Sequence, residues 1–349
     1  MLHATWNRYR LNFNFVAITS RARMTYKDTY FVRMYDDLSP EHVVVAESPL
    51  FAGLSIEDTP EYESRLDKIC RGIGAWDYLA GQPCPFGGTE SSIRFALESG
   101  ASALRLGQGT AEGSPAIPAS TAWTRGERPI VINGLVWMGD IETMTQRMRQ
   151  KLAQGFSVIK VKIGAFDFEA EMRMLRLLRD IAGTDITIRL DANGAFTPKE
   201  VMTRLQRLSS LDIHSIEQPL HPRYVDELAD LCRHTPIPIA LDESLICRPD
   251  EIGRTIDEVQ HIRPQYLVLK PSLCGGFGCA DRLVSLARCE RMGWWATSAL
   301  ESNVGLVAIG AWVDRYNPEM PQGLGTGALY INNIEMPQLE LTGQQLWYR

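Results

Sequence analysis

Hydrophobic and polar positions change their rhythm once along the chain. Near the start, Leu11, Phe13 and Phe15 alternate with polar residues, the period-two pattern of a half-buried strand. Residues 29–36 read as its hairpin partner, joined to it by a polar loop over 19–28. Two helical patterns follow, near 58–73 and 89–103, and the run Asp58, Thr59, Pro60 is a capping signal for the first. Residues 106–128 are rich in Gly, Ala, Ser, Thr and Pro and read as a linker or surface crossing.

From residue 129 onward, short β-branched runs alternate with amphipathic segments. The runs lie at 129–133, 156–163, 186–191, 213–217, 238–243, 265–270 and 294–298. The helical pattern is plainest over 168–182, where Met172, Leu175, Leu178 and Ile181 share one face. A βα unit repeated about every 25–30 residues predicts a parallel sheet. Seven such units, with a weak eighth after Asn317, predict an α/β fold of the (β/α)8-barrel type; a doubly wound open sheet is the alternative.

The ends of these strands carry the chemistry. In a barrel, side chains at the C-terminal strand ends converge on one mouth. The second strand ends in Lys160 and Lys162, the third in Asp191, the fourth in Glu217, the fifth in Asp242, the sixth in Lys270 and the seventh in Ser298. From Lys162 onward the spacings are 29, 26, 25, 28 and 28 residues, one unit per step. Asp191, Glu217 and Asp242 offer only hard oxygen donors, a set that suits Mg²⁺ with positions left for substrate. Without a cation, three converging carboxylates would raise one another's pKa. Taken singly, Asp191 reads equally as a turn residue and the other two as caps. The lysines end buried apolar strands, where an ammonium is costly unless used. Lys162 and Lys270 come from opposite sides of the carboxylate arc. A lysine whose pKa is lowered toward neutrality serves as a general base, and Lys160 reads as its electrostatic partner. Proton abstraction beside a carboxylate, with a divalent ion stabilising the enediolate, follows from this set.

Composition narrows the partners. The chain has 349 residues, 45% hydrophobic and 22% charged, which excludes intrinsic disorder. Its net charge of -6 argues against nucleic acid. No apolar run approaches the roughly 18 residues that span a bilayer, so no membrane partner is expected. The N-terminus lacks an apolar signal-like core and reads as mature protein. Seven scattered cysteines without a CxxC pair argue against disulfides or a cysteine zinc site and for a reducing cytoplasm. Gly275, Gly276 and Gly278 point to a close backbone approach rather than a nucleotide site. His214 reads as a packed core residue, and Trp294 and Trp295 as core and helix-layer residues. The oligomeric state is left open.

KVK at 160–162, DANG at 191–194, IEQP at 216–219, LDES at 241–244 and LKPS at 269–272 together resemble the muconate-lactonizing-enzyme branch of the enolase superfamily. The resemblance covers nearly the whole chain. Residues 1–105, with AESPL and GLS within 46–55, are similar to that family's α+β capping domain. It implies a modified TIM barrel over 129–320, a linker at 106–128, and a last segment, 321–349, returning to the cap. Arg189, GLVWMG at 134–139, HSIEQPL at 214–220, TSALESNVG at 297–305 and QGLGTG at 322–327 further resemble a dehydratase of that branch. By position, the resemblance implies that Asp191, Glu217 and Asp242 hold Mg²⁺, with Mn²⁺ accepted in its place. It makes Lys162 the base, and also the acid for hydroxyl departure, in a syn dehydration of a small carboxylate. Lys270 would stabilise the enediolate, and Lys160, Arg189 and Asn193 would support the metal site. Ser298 and the stretch Ser302, Asn303, Gly305 would receive a second carboxylate, helped by free N–H groups at a helix start. Residues 19–28 would form a mobile lid. The competing readings are an N-succinylamino acid racemase or dipeptide epimerase, and a non-catalytic ligand-binding barrel.

Overall fold

The computed structural model describes residues 1–18 and 23–349. The N-terminal part is a sheet in the order β1 (Leu2–Ile18), β2 (Arg23–Asp36), β3 (Ser39–Ser48) and, after two helices, β4 (Ser114–Pro115). Helices α1 (Tyr62–Gly72) and α2 (Ser91–Arg105) cover one face, and Val32, Met34, Leu66, Ile93 and Leu97 form a core of their own there.

Two expectations for this part need correction. Residues 23–28, read as loop, belong to strand β2, while residues 19–22 lie outside the described residues. Their polarity hid the strand because this ribbon is held by charge. Arg8 and Arg10 both bind Asp28, and the Arg10 guanidinium lies 3.9 Å from the centre of the Tyr26 ring. Helix α1 also starts later than its capping signal. Asp58 accepts from the Gly53 N–H at 2.7 Å and Thr59 from Arg65 at 2.9 Å, so both caps are engaged elsewhere.

The second part alternates strand and helix. Its strands are β5 (Ile130–Val131), β6 (Gly134–Val136), β7 (Val158–Lys162), β8 (Thr187–Asp191), β9 (Ile213–Glu217), β10 (Ile239–Leu241), β11 (Tyr266–Leu269) and β12 (Gly293–Ala296). Strands β6 to β12 form one seven-stranded sheet in sequential order, and every pairing in it is parallel. Helices α3 (Ile141–Ala153), α4 (Phe168–Ala182), α5 (Val201–Leu208), α6 (Val225–His234), α7 (Ile252–Ile262), α8 (Gly276–Cys289) and α9 (Asn303–Asp314) carry the chain between strands and beyond the last. The first run, 129–133, was expected to open this sheet. Instead β5 pairs with the last strand of the chain, and the parallel sheet opens at Gly134. No eighth strand of this parallel sheet follows Asn317 among the described residues. A two-residue segment spans the two edges instead: Gln322 bridges Ile132 and Gly323 bridges Thr297, both in parallel sense.

After that bridge the chain runs along the hairpin, with Tyr330 paired to Phe13 and the Ile331 N–H donating to the Asn12 carbonyl. It ends in β13 (Leu339–Thr342) and β14 (Gln345–Tyr348), antiparallel to each other and joined to β5.

Two carboxylates tie the cap to helix starts of the second part. Glu47 on β3 accepts from the N–H groups of Ser302 (3.0 Å) and Gly305 (2.9 Å) at the start of α9. Glu98 on α2 accepts from Phe277 (2.6 Å) and Gly278 (3.1 Å) at the start of α8. Glycine is required at both places, since a Cβ on Gly305 or Gly276 would stand 2.8 or 2.7 Å from the incoming carboxylate oxygen. A negative charge on unsatisfied helix N–H groups is favourable. Among the described residues no helix is long and apolar enough to cross a membrane.

Candidate active site

Parallel register levels the strand ends. Lys162 lies opposite Asp191, and Asp191 opposite Glu217, so consecutive strands deliver their last side chains to one depth. Period-two alternation then decides which residues face inward. Lys160 Nζ lies 2.6 and 2.8 Å from the two oxygens of Glu217 and 2.8 Å from Asp191. Lys162 Nζ donates to Asp191 at 2.8 Å and to Asn193 Oδ1 at 3.0 Å. On the far side of the arc, Lys270 is ion-paired with Asp242. Asp191, Glu217 and Asp242 are all buried.

Charge balance follows from this geometry. Burial alone would raise the Asp191 carboxyl, but Lys160 and Lys162 outweigh it and hold it well below the usual range. Glu217 goes the other way: burial, then the neighbouring Asp191 and Asp242 charges, push it well up despite Lys160. Burial acts to lower the Lys270 ammonium, but Asp242, Glu243 and Glu217 together outweigh it and hold it above its ordinary value.

A cavity of about 200 Å³ opens over these groups. Lys160, Lys162, Asp191, Asn193 and Lys270 line one wall, with Glu243, which accepts from Asn193 Nδ2 at 3.0 Å. Thr297, Ser298, Ala299 and Leu300 continue the lining beyond the end of β12, next to Lys270, and Met24, Phe51 and Leu54 of the cap line it too. Ser298 Oγ accepts from the Leu300 N–H (2.8 Å), the Glu301 N–H (3.3 Å) and the Thr326 hydroxyl (2.8 Å). Its own proton is therefore left to be donated.

Other sequence-selected residues lie off the cavity wall. Arg189 sits below it, 4.0 Å over the Trp295 ring and donating to the Pro321 carbonyl at 3.0 Å; burial pulls its guanidinium down to about 10. The helix start at 302–305 does receive an anion, but it is the chain's own: the N–H groups of Ser302 and Gly305 are taken by Glu47. Asn303 is engaged by Asn333 and the Ile334 carbonyl. The expectation of free N–H groups there is thus corrected. His214 stacks on Tyr266 away from the cavity, and burial pushes its imidazole down to about 4.

Sequence reasoning passed over Gln218. It is fully buried with a positive φ of 38°, and its Oε1 receives the backbone N–H groups of Asp242 and Ser244, both at 3.1 Å. It thereby fixes the turn that presents Asp242. Its only sequence signal is its place between Glu217 and Pro219. Glu243 and Thr326 were legible only as neighbours of stronger motifs.

The donor chemistry fits a hard divalent cation: three carboxylates, no softer ligand, and one of them, Glu217, pushed up by the charge of the other two. As the residues stand, no group of three acidic, His or Cys side chains among the described residues is gathered tightly enough to grip an ion. Lysine ammonium groups lie between the carboxylates and supply the positive charge there.

The chain is similar to known proteins. Residues 143–313 match the family model described as enolase C-terminal domain-like. The chain is 39% identical to an o-succinylbenzoate synthase of Desulfotalea psychrophila, over 95% of each chain. It superposes on the crystal structure of MenC from the same organism with a TM-score of 0.84, at 36% identity and covering 99% of both chains. It is also similar in fold to an o-succinylbenzoate synthase of Thermosynechococcus elongatus, a structure with Mg in the active site (TM-score 0.72, 20% identity, 95% of this chain and 96% of that one). The chain belongs to the enolase superfamily, in the family of its o-succinylbenzoate synthases.

Proposed function

We propose that the chain is an o-succinylbenzoate synthase: it dehydrates 2-succinyl-6-hydroxy-2,4-cyclohexadiene-1-carboxylate to o-succinylbenzoate, a step of menaquinone biosynthesis. The observation that carries this is the meeting of Lys162, Lys270 and Asp191 in one cavity, with Glu217 and Asp242 buried and paired to Lys160 and Lys270, in a chain 39% identical over 95% of its length to a protein of that name. The seven parallel strands with the Gln322–Gly323 bridge are read as a (β/α)8-type barrel. The β1–β4 sheet with its two helices is read as the cap. The domain bounds follow as 1–105 and 129–320, with the last segment, 321–349, running back along the cap hairpin. Seven unpaired cysteines, six of them buried, fit a cytoplasmic enzyme.

Lys162, as neutral amine, takes the proton α to the ring carboxylate, and the electron pair moves into an enediolate. Lys270, held across the cavity, keeps a positive charge beside that enediolate. As the hydroxyl leaves, the Lys162 ammonium returns its proton to it, so water departs from the face that lost the proton and the amine is regenerated. Asp191, Glu217 and Asp242 would hold Mg²⁺, with Mn²⁺ as a substitute; bound there, the ion supplies Lewis-acid stabilisation of the charge on the carboxylate. Lys160 and Asn193 orient the carboxylates, and Arg189 supports the strand beneath them. Ser298 offers its hydroxyl proton to an oxygen of the substrate. The wall around it serves the second carboxylate, and Ser302, Asn303 and Gly305 hold that wall from behind. The cap excludes water from the reaction.

The test is an assay of the pure protein with this precursor, with N-succinylamino acids and with dipeptides. Dehydration of the precursor as the fastest reaction is expected. Racemisation or epimerisation without dehydration would replace this reading by the racemase or epimerase one.

A further inference from the structure

Lys27 is an ammonium in the wrong kind of place. It lies on β2, paired across the ribbon with Leu11, and is only 6% exposed. Long charged side chains are rarely buried unless they are used, and the reaction does not use this one. Its Nζ donates to the Leu300 carbonyl at 3.0 Å. The Tyr330 hydroxyl donates to the same carbonyl at 2.7 Å. Glu47 and Glu301 supply the negative charge around it, against a burial cost that pulls the ammonium's pKa down.

Leu300 is itself unusual. Its φ is +62°, a left-handed conformation in which a leucine's Cβ crowds the following carbonyl. Its side chain is buried under the hairpin against the cluster of Leu11, Phe13 and Trp137. Its N–H is fixed by Ser298 Oγ and its carbonyl by Lys27 and Tyr330. Strained backbone of this sort persists where its surroundings over-determine it, and such residues gather at functional sites. Leu300, Ala299 and Ser298 line the same cavity as the catalytic lysines, on the strand end next to that of Lys270.

We propose that Lys27 is a positioning residue for substrate binding: by holding the Leu300 carbonyl it fixes the turn that lines the cavity beside Lys270. Because Lys27 belongs to the cap and Leu300 to the barrel, this hydrogen bond links the seating of the cap to the shape of the cavity lining. Removing it loosens how the non-reacting end of the substrate is held and leaves Lys162 and Lys270 untouched.

The experiment compares kcat and KM of the full-length protein as wild type, Lys27→Met, Tyr330→Phe and Glu98→Gln, each with its thermal unfolding curve. Glu98 ties the same cap to α8 and does not line the cavity, so it controls for cap attachment alone. Lys27→Met is expected to raise KM about tenfold with kcat within about threefold of wild type, the loss of one charged hydrogen bond expressed in binding. Tyr330→Phe is expected to raise KM about threefold, and Glu98→Gln to leave KM unchanged with at most a small fall in melting temperature. Should Lys27→Met fail to fold, Tyr330→Phe tests the same carbonyl. An unchanged KM in a folded Lys27→Met, or in Tyr330→Phe where Lys27→Met does not fold, overturns the proposal, as does an equal rise in Glu98→Gln. The inference rests on the dehydratase reading only for the choice of substrate. Wild-type turnover tests that reading first; if the wild type acts instead on an N-succinylamino acid, KM is read with that compound.

Discussion

Asp191, Glu217 and Asp242 at the strand ends, and Glu47 and Glu98 on the cap, are carboxylates shielded from water, yet different groups balance them. The strand-end set faces lysine ammonium groups on flanking strands. The cap set faces backbone N–H groups at two helix starts, with Arg94 also 3.1 Å from Glu98. A carboxylate held by helix N–H groups is satisfied by the fold itself and has nothing left to exchange. One held by side-chain ammonium groups can trade its partner for a cation, and the paired lysine can then turn to a substrate. On the proposed function, the difference separates carboxylates that fasten the cap from carboxylates that hold the metal, although all of them look alike in the sequence.

The largest effect that sharpens this contrast is expected at Lys162. Lys162→Ala should lower turnover by about 10²–10⁴-fold, the span of general acid–base contributions, with the melting curve close to wild type; turnover within a few-fold would refute the base assignment. Next comes Glu217→Gln, measured by calorimetric titration with Mg²⁺. It should weaken metal binding by about 10–100-fold, since even outer partners of a ligand command that much. Glu47→Gln should leave the titration as it is and cost about 1.5–3 kcal/mol of stability, because hydrogen bonds to a charged acceptor are lost at a buried junction. A Glu47 variant that binds Mg²⁺ more weakly would erase the distinction between the two sets.

Glu98→Gln should have the smallest effect, below about 1 kcal/mol. Burial holds the Glu98 carboxyl above its ordinary range, against Arg94 and the helix N–H groups. With its folded pKa raised, its contribution is complete below the unfolded pKa and is lost as pH rises through the folded one. At neutral pH a neutral amide therefore gives up little, and denaturant titration at pH 7 reads the difference from Glu47→Gln directly.

What the sequence made legible follows from local rules. Strand ends at one-unit spacing could be read because β-branched runs and a fixed period are short-range signals. Residues 213–217 and 168–182 were placed to the residue for that reason. Strand 23–28 was hidden because its stability comes from Asp28 meeting Arg8 and Arg10 across the ribbon rather than from an apolar face. The same holds for the expected anion site at 302–305. The N–H groups were read correctly as an anion receptor, but the anion is Glu47, 255 positions away in the chain. Gln218 and Leu300 were missed because each takes a left-handed backbone without being glycine or asparagine. No local pattern announces that.

The central claim is that the strand-end lysines and carboxylates form one metal-dependent proton-transfer site. It is tested most directly by turnover of the chelated protein as Mg²⁺ is added back, with Lys162→Ala titrated in parallel for metal binding. The account predicts that wild type falls silent on chelation and recovers with Mg²⁺, while Lys162→Ala binds the ion as wild type does and stays silent. Full activity after chelation, or recovery of Lys162→Ala on adding the ion, would contradict it.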